Sequence, residues 1–515
     1  MLKTFKKLFG SEPNRTQEPG AAGSADAPNP ALLEDAVGHI QRGELDAAAR
    51  VLEAVIKVQH DHADAHCLLG QVYGWLGRHE DAADCYMLAT YFQPGHAEAY
   101  RQLGLLARAQ GRSNEALELL QKAAALQPDN ARIHNDLGAI FIQQQMLDEA
   151  VNAFRRALAL APEFADAHSN LGYLLIREFE HLQEGEVHID EALRLNPAHS
   201  AALCNRTMAL HYRGRLLEAL ELCDSLIAHE FGSDELRLNR ALMLLTLGDF
   251  ERGWPDYEMR KHVNSNYVPR HLPYPEWTGQ SLSGKTILVH AEQGLGDQIM
   301  FASCVPELAA QAKRCILECD SKLLPIFTHS FPGVRCYAPI LMGEGGWVKD
   351  GLQPDFQIAA GSLPSFFRKR VASFPQHTGY LRADAMRVQR WREKLARLPG
   401  RIKVGISWRG GMKSTRPVLR SVPLIQWLPV LSMAGVDFVS LQYTECREEL
   451  SALERDQGLR VHHWQEVIDE YVETAALICA LDLVISVQTA VVHLSGALGK
   501  PAWAMISAVP EWRYM

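Results

Sequence analysis

The segment DHADAHCLLGQVYGWLGRHEDAADCYMLATYFQP, residues 61–94, is followed at once by GHAEAYRQLGLLARAQGRSNEALELLQKAAALQP, residues 95–128, and the two share one frame. Gly70 and Gly104 hold one position of it, and the same position falls next on Gly138 and Gly172, an interval of 34 residues. Pro94, Pro128 and Pro162 keep that interval. So do Ala82, Ala116 and Ala150 and, two turns later, Ala89, Ala123 and Ala157. Four markers in one register define a structural repeat. Each unit reads as a helical hairpin: small residues let its two helices approach closely, and the proline follows the second helix and prevents its continuation. One hairpin cannot bury its own apolar face, so successive hairpins stack.

The interval is the tetratricopeptide period. Degenerate copies extend it: Ala36 and Ala48 keep the phase before it, and Ala219 and Ala241 keep it after a one-residue slip near Gly185. The predicted solenoid covers residues 31–262 in about seven units. Such arrays present a concave surface to peptides or protein segments, although the repeat fixes shape and not ligand, which leaves a spacer or oligomerisation arm as the alternative.

Composition frames the rest. The chain has 515 residues and a formal charge of −9 spread along its length, which recommends no nucleic-acid partner. No apolar run approaches the roughly 18 residues that would cross a bilayer, and the N-terminus lacks a secretory core, so the expected compartment is the cytoplasm. The ten cysteines are scattered without a CxxC and read as free thiols. In MLKTFKKLFG, Leu2, Phe5 and Phe9 share a helical face beside Lys3, Lys6 and Lys7. Its small apolar area makes it a frayed terminus with at most weak peripheral membrane contact through residues 1–10. Residues 1–30 as a whole read as a flexible leader.

From Trp254 the repeat stops and prolines gather at Pro255, Pro269, Pro273 and Pro275, with a connector placed over 263–284. Beyond it short β-branched runs alternate with helical patterns, which predicts βα units and parallel sheets. A first lobe, 285–395, opens with a strand at Thr286–His290, the loop AEQGLGDQ, a helix of about 14 residues toward Ala312 and a strand at Arg314–Cys319. A second lobe, 396–515, opens with a strand at Lys403–Trp408 and a helix near Leu424–Met433. Strands at Asp437–Gln442, Asp482–Val487 and Ala502–Ile506 follow, with helices at Glu470–Ala480 and from Thr489. Two Rossmann-like lobes in series leave a cleft at the carboxyl ends of their strands, where ligands bind.

Three loops at such ends carry candidate chemistry. Gly294 and Gly296 precede Asp297 at a helix start, which permits close backbone approach and adds positive potential; a helix-capping carboxylate is the alternative role for Asp297. The loop Trp408-Arg409-Gly410 leads through Lys413, Arg416 and Arg420 to the next helix, a basic connection suited to a diphosphate or simply to solvent. In ISVQTAVVHLSGALGKP, Gln488 and Thr489 precede a helix with His493 one turn along, where backbone amides and the Thr489 hydroxyl suit phosphate oxygens; a structural histidine is the alternative. No HExxH, no Gly-x-Ser-x-Gly and no metal-spaced His/Cys cluster is present, and the neighbouring His462 and His463 read as structural. No cofactor or metal is expected.

Together, in this order, the three loops from Lys285 onward resemble the two-lobed GT-B glycosyltransferase fold, and specifically the ADP-heptose lipopolysaccharide heptosyltransferase-like family, glycosyltransferase family 9. With the solenoid in front, and with LLTLGDFERGW at residues 244–254 as a typical junction, the whole chain resembles bacterial tetratricopeptide-repeat proteins carrying such a domain. The resemblance implies an inverting, metal-independent transfer from a nucleotide-sugar donor to a protein or glycan acceptor chosen by the solenoid. Asp297 would be the catalytic base and Arg420 a donor-phosphate contact, while Gln488, Thr489 and His493 would grip the nucleotide sugar. Two departures support the alternative of an interaction scaffold with a degenerate transferase domain. Gln488 stands where the family usually has an acidic residue, and the sequence stops at Met515, immediately after EWRY, where relatives usually continue.

Overall fold

The structure, a computed structural model, describes residues 30–514 except 179–180, 230–231, 264–269, 271, 340–345, 377 and 411–419. The basic segment 1–10, the spacer up to residue 29, Pro269, Lys413 and Arg416 lie outside the described residues. The chain divides into two compact units, one through Arg206 and one from Thr207.

In the first unit the helices pair as Ala63–Trp75 with His79–Phe92, Ala97–Ala109 with Ser113–Leu126, Ala131–Gln143 with Leu147–Leu160 and Ala165–Arg177 with Leu182–Leu195; Pro30–Gln41 with Leu45–Val58 precedes them. The glycine period has a steric cause. A Cβ on Gly70 would stand 2.7 Å from the Tyr86 ring, one on Gly104 2.8 Å from Leu120 and one on Gly138 2.5 Å from the Phe154 ring, so only a bare backbone admits the large residue of the partner helix. The periodic alanines are buried between the same helices. The slip near Gly185 falls between the helices Ala165–Arg177 and Leu182–Leu195, which stand four residues apart in sequence where Ala131–Gln143 and Leu147–Leu160 stand three apart. Gly185 and Gly172 then meet backbone to backbone, with a Cβ on Gly172 2.7 Å from the Gly185 carbonyl oxygen. The turn inside the first four hairpins takes a left-handed residue: Gly43, Gly77 and Gly111 supply it at φ 74°, and Gln145 holds the same place at φ 60°.

The helix Ser200–Tyr212 crosses into the second unit, where Leu216–Ala228, Asp234–Thr246, Phe250–Tyr257 and Arg260–Val263 follow. The expectation that Pro255 belongs to a connector is corrected: it sits inside the helix Phe250–Tyr257, near its end, where the lost N–H shortens the helix without preventing it.

Two parallel sheets come next. The first holds β1 (Thr286–His290), β2 (Arg314–Glu318), β3 (Val334–Tyr337) and β4 (Phe356–Ala359) in the order β3-β2-β1-β4. The second holds β5 (Ile402–Ser407), β6 (Val436–Ser440), β7 (Val461–His462), β8 (Leu483–Val487) and β9 (Ala502–Met505) in the order β7-β6-β5-β8-β9. Every pairing among them is parallel, as βα alternation requires. One apolar cluster runs through this unit, including Ile287 and Val289 of β1, Ile299 and Phe301, Val439 of β6, and Val491 and Leu494.

Two predicted helices are broken by proline. The one toward Ala312 is Leu295–Ala302 followed by Val305–Gln311, since Pro306 cannot donate to the Ala302 carbonyl. The one near Leu424–Met433 is a tight turn, Leu424–Trp427, and a short helix, Leu428–Leu431, that opens on Pro429. No helix among the described residues is long and apolar enough to cross a membrane. Seven of the ten cysteines are buried.

Candidate functional site

In the first sheet the chain moves outward from β1 to β3 and returns beside β1 as β4; in the second it moves from β5 to β7 and returns beside β5 as β8. The carboxyl ends of β1, β5 and β8 therefore flank the points where strand order reverses, and there two neighbouring loops diverge and leave a crevice. The three loops singled out in the sequence leave from those ends: Gly294–Asp297 after β1, Trp408–Gly410 after β5, and Gln488–Thr489 after β8.

Glycines set how closely these loops meet. The helix Leu295–Ala302 lies on the helix Ala490–Ala497, and a Cβ on Gly296 would stand 2.9 Å from the His493 ring and 3.5 Å from the Ala490 Cα. A Cβ on Gly410 would be 2.6 Å from the Thr489 methyl and 3.2 Å from the Gln488 carbonyl oxygen. Gly294 is the residue before the helix and has an ordinary φ of −85°; its N–H donates to Asp297 Oδ2 at 3.2 Å. Asp297 thus caps its helix. Its other oxygen, Oδ1, accepts from Arg513 Nε at 2.5 Å, so capping and facing the crevice coexist in one carboxylate.

Thr489 caps the helix Ala490–Ala497, its Oγ1 accepting from the Val491 N–H at 3.2 Å and lying 3.1 Å from Ser486 Oγ. One turn on, His493 faces the Tyr514 ring at a centroid distance of 5.0 Å. Burial, with Arg513 and Arg420 nearby, pulls its pKa down to about 4 against the opposing pull of Asp297, so the imidazole is neutral. Gln488 is buried, and its amide nitrogen makes no hydrogen bond. Arg420 pairs with Glu511.

Two of the predicted donor-binding residues are placed elsewhere. Trp408 is fully buried in the core of the second sheet with Val404, Ile406, Leu424 and Trp427. Arg409 turns toward the helix Arg447–Gln457, donating to the Glu445 carbonyl oxygen at 2.8 Å and lying 3.2 Å from Glu449. His463 Nδ1 lies 3.8 Å from the buried Cys446 thiol, and the His462 ring stacks on Trp464.

Sequence reading missed the residues that close the site. Glu511, Arg513 and Tyr514 reach Arg420, Asp297 and His493 respectively, the first two across 91 and 216 residues of chain. Trp512 anchors them: it is buried, edge-on to Trp254 at 5.6 Å and to Tyr257 at 5.4 Å, with Phe301 at 6.5 Å. Gln293 was missed as well. It has a left-handed backbone, φ 61°, and its side chain bridges Arg513 Nη2 at 3.1 Å and the Tyr257 hydroxyl at 3.0 Å. Behind it the buried Arg260 grips Glu292 through two hydrogen bonds of 3.0 and 2.8 Å and donates to Ser362 Oγ at 2.9 Å. The available signal was the GDFERGWPDYEMR stretch: its Trp254, Tyr257 and Arg260 fall three residues apart, on one face of continuing helix.

In the first unit the polar residues of successive first helices join one another. Arg101 lies between Glu98 at 2.8 Å and Asp136 at 2.7 Å, and Asn170 donates to Asn135 at 2.9 Å. Family models described as tetratricopeptide repeat match residues 35–97 and 95–163. Residues 35–163 are tetratricopeptide repeats. Protein FlbA of Caulobacter vibrioides is 32% identical over 344 residues, which are 63% of this chain and 57% of that protein. The chain thus spans little more than half the length of this curated relative. Among solved structures, PilF of Pseudomonas aeruginosa is 21% identical with a TM-score of 0.37, covering 41% of this chain and 96% of that one. The tetratricopeptide-repeat protein YrrB, whose structure is described as having an unusual peptide-binding site, is 23% identical with a TM-score of 0.28, covering 33% of this chain and 88% of that one.

Proposed function

We propose that the paired sheets form a GT-B-type glycosyltransferase, inverting and metal-independent, and that the tetratricopeptide array selects a protein or glycan acceptor in the cytoplasm. One observation carries the reading: Asp297, Arg420, Thr489 and His493, singled out on three separate loops, converge at the carboxyl ends of β1, β5 and β8. A carboxylate, a guanidinium and a capped helix start around one crevice are the groups that displacement at a sugar carbon requires. The acceptor hydroxyl oxygen bonds to the anomeric carbon as its proton passes to Asp297. The bond from that carbon to the donor phosphate oxygen breaks, and its electron pair leaves with the nucleoside diphosphate. Arg420 and the amides after Thr489 receive the charge that develops on the leaving group. The carboxylate has lone pairs beyond those taken by Arg513 and the Gly294 N–H, so it can still accept a proton.

Nucleoside diphosphate released from a panel of nucleotide sugars, with and without a chelator, measures this activity. Asp297→Asn should cut release by about two to four powers of ten. A variant as active as the parent removes Asp297 from the mechanism.

A second reading, an interaction scaffold with an inactive transferase domain, is favoured by the Arg513–Asp297 pair and by the neutral Gln488. Calorimetry would then detect no nucleotide or nucleotide sugar, while capture of a protein partner persists.

A further inference from the structure

The end of the described chain brings two guanidinium groups to one carboxylate. Glu511 Oε1 takes a hydrogen bond from Arg420 Nη2, and Glu511 Oε2 lies 3.5 Å from Arg513 Nη1. Arg513 is fixed on its other edges by Asp297 at 2.5 Å and Gln293 at 3.1 Å, and its guanidinium lies 4.7 Å from the centre of the buried Trp512 ring. Arg420 comes from the second sheet, four residues before the turn Leu424–Trp427 that follows β5. Two cations, one of them anchored by Asp297 and Gln293, thus face a single anion that bridges them. The same spacing serves a diphosphate, whose oxygens span two guanidinium groups as a carboxylate does but with more charge and more acceptors.

Glu511 differs from its neighbours in freedom. Trp512 is buried and the Glu511 backbone is held by the Tyr514 N–H at 3.0 Å, but the Glu511 side chain keeps 32% of its surface in solvent. A rotamer change moves its carboxylate to water without disturbing the aromatic cluster. Charge then favours an incoming anion. With Glu511 in place two guanidiniums face two carboxylates, Asp297 and Glu511, beside a neutral His493; with it out, one positive charge is uncompensated.

We propose that Arg420 and Arg513 form a seat for the diphosphate of a nucleotide, and that Glu511 fills this seat as an internal occupant until the ligand displaces it. The proposal names the ligand class and the regulation of the site on which the transferase reading rests. Arg513 keeps Asp297 through Nε while Nη1 turns to the ligand, so the Asp297–Arg513 pair survives binding. Affinity is reduced by the fraction of time the carboxylate is in place.

The test is calorimetric titration of the full chain with inorganic diphosphate. Glu511→Gln keeps the size and removes the charge, and it should tighten binding about tenfold if the occupant is present about nine-tenths of the time. Arg513→Lys should weaken binding, since an ammonium cannot hold Asp297 and the ligand at once. The parent's affinity should fall steeply with salt. A Glu511→Gln protein that binds diphosphate no more tightly than the parent, or not at all, overturns the proposal, whether or not the Arg513 variant folds. If tightening is seen but no nucleotide sugar is cleaved, the seat stands and the transferase reading falls. Cleavage by the parent, with no tightening in Glu511→Gln, leaves the transferase and removes the occupant.

Discussion

In the repeat unit most of the tight approaches are between a bare glycine and hydrocarbon, as at Gly138 against Phe154, and among the described residues through Arg206 the buried polar ones are His66, Asn135 and Ser169. From Thr207 onward the interior instead holds Arg260, Glu292, Glu318, Arg368, Lys403, Asp437 and Glu473. A stack of hairpins satisfies its backbone within each helix and needs only shape between helices. The loops at the ends of parallel strands carry backbone and side-chain groups inward, and those groups must find partners. The difference predicts different failure modes: loss of a charge at the exposed pairs of the repeats should cost little, and loss of a charge buried behind the sheets should cost much.

The largest expected effect breaks the comparison directly. Arg260 and Glu292 have side chains 1% and 2% exposed, and Arg260→Met would strand the carboxylate, at a cost of about 3–5 kcal/mol. The matching change in the repeats, Arg155→Met, removes an exposed pair with Glu184, 2.9 Å apart, and should cost less than about 1 kcal/mol. Urea denaturation of the two variants decides the matter, and equal losses would erase the contrast.

Acid sharpens it. Burial holds His290 and His493 down at about 4, both in the second unit. A histidine whose folded pKa lies below its unfolded value binds more protons when unfolded, so stability is complete above about pH 6.5, falls as pH drops toward 4, and is fully lost below that. The loss is at most about 3 kcal/mol for each group. His66 in the repeats is shifted in the same direction by its burial, which makes it the control. Replacing His290 and His493 with Gln should flatten stability against pH between 4 and 6.5 far more than His66→Gln does. Thermal melts across that window measure the slopes.

How much of this was legible follows from the same physics. The repeat could be read because one steric requirement recurs at Gly70, Gly104 and Gly138, so each copy corroborates the others. The β1, β2, β5, β6, β8 and β9 strands were visible as short apolar runs between helical patterns, whereas β3 and β4, four residues each, and β7, two residues long, carry too little pattern. Candidate residues on loops after strong strands, such as Asp297 and Thr489, could be named because the strand that precedes each is itself legible. Arg513 was not, because it reaches Asp297 across 216 residues and no local pattern encodes that approach. Trp408, expected by motif among the donor-binding residues, is buried in the core of the second sheet, because a loop motif does not show which side chains turn inward.

The smallest effect separates the two regions most sharply, because it uses the same residue twice. Gln145 and Gln293 both hold left-handed backbone, at φ 60° and 61°. Gln145 occupies a turn where other repeats have glycine, and its side chain is exposed with one long contact, 3.5 Å to the Ile142 carbonyl oxygen. Gln145→Gly relieves a conformation that costs an L-residue about 1–2 kcal/mol, while glycine gives back about 0.5–1 kcal/mol in unfolded-chain entropy, so the net gain should lie between about 0 and 1.5 kcal/mol. Gln293→Gly relieves the same backbone but removes the hydrogen bonds to Tyr257 and Arg513. A hydrogen bond to a charged group is worth about 1.5–3 kcal/mol, so the sign reverses and the chain is destabilised. Paired melts read the signs. Two gains would make Gln293 another drifted turn; a gain at 145 with a loss at 293 means that its strain is held by the site.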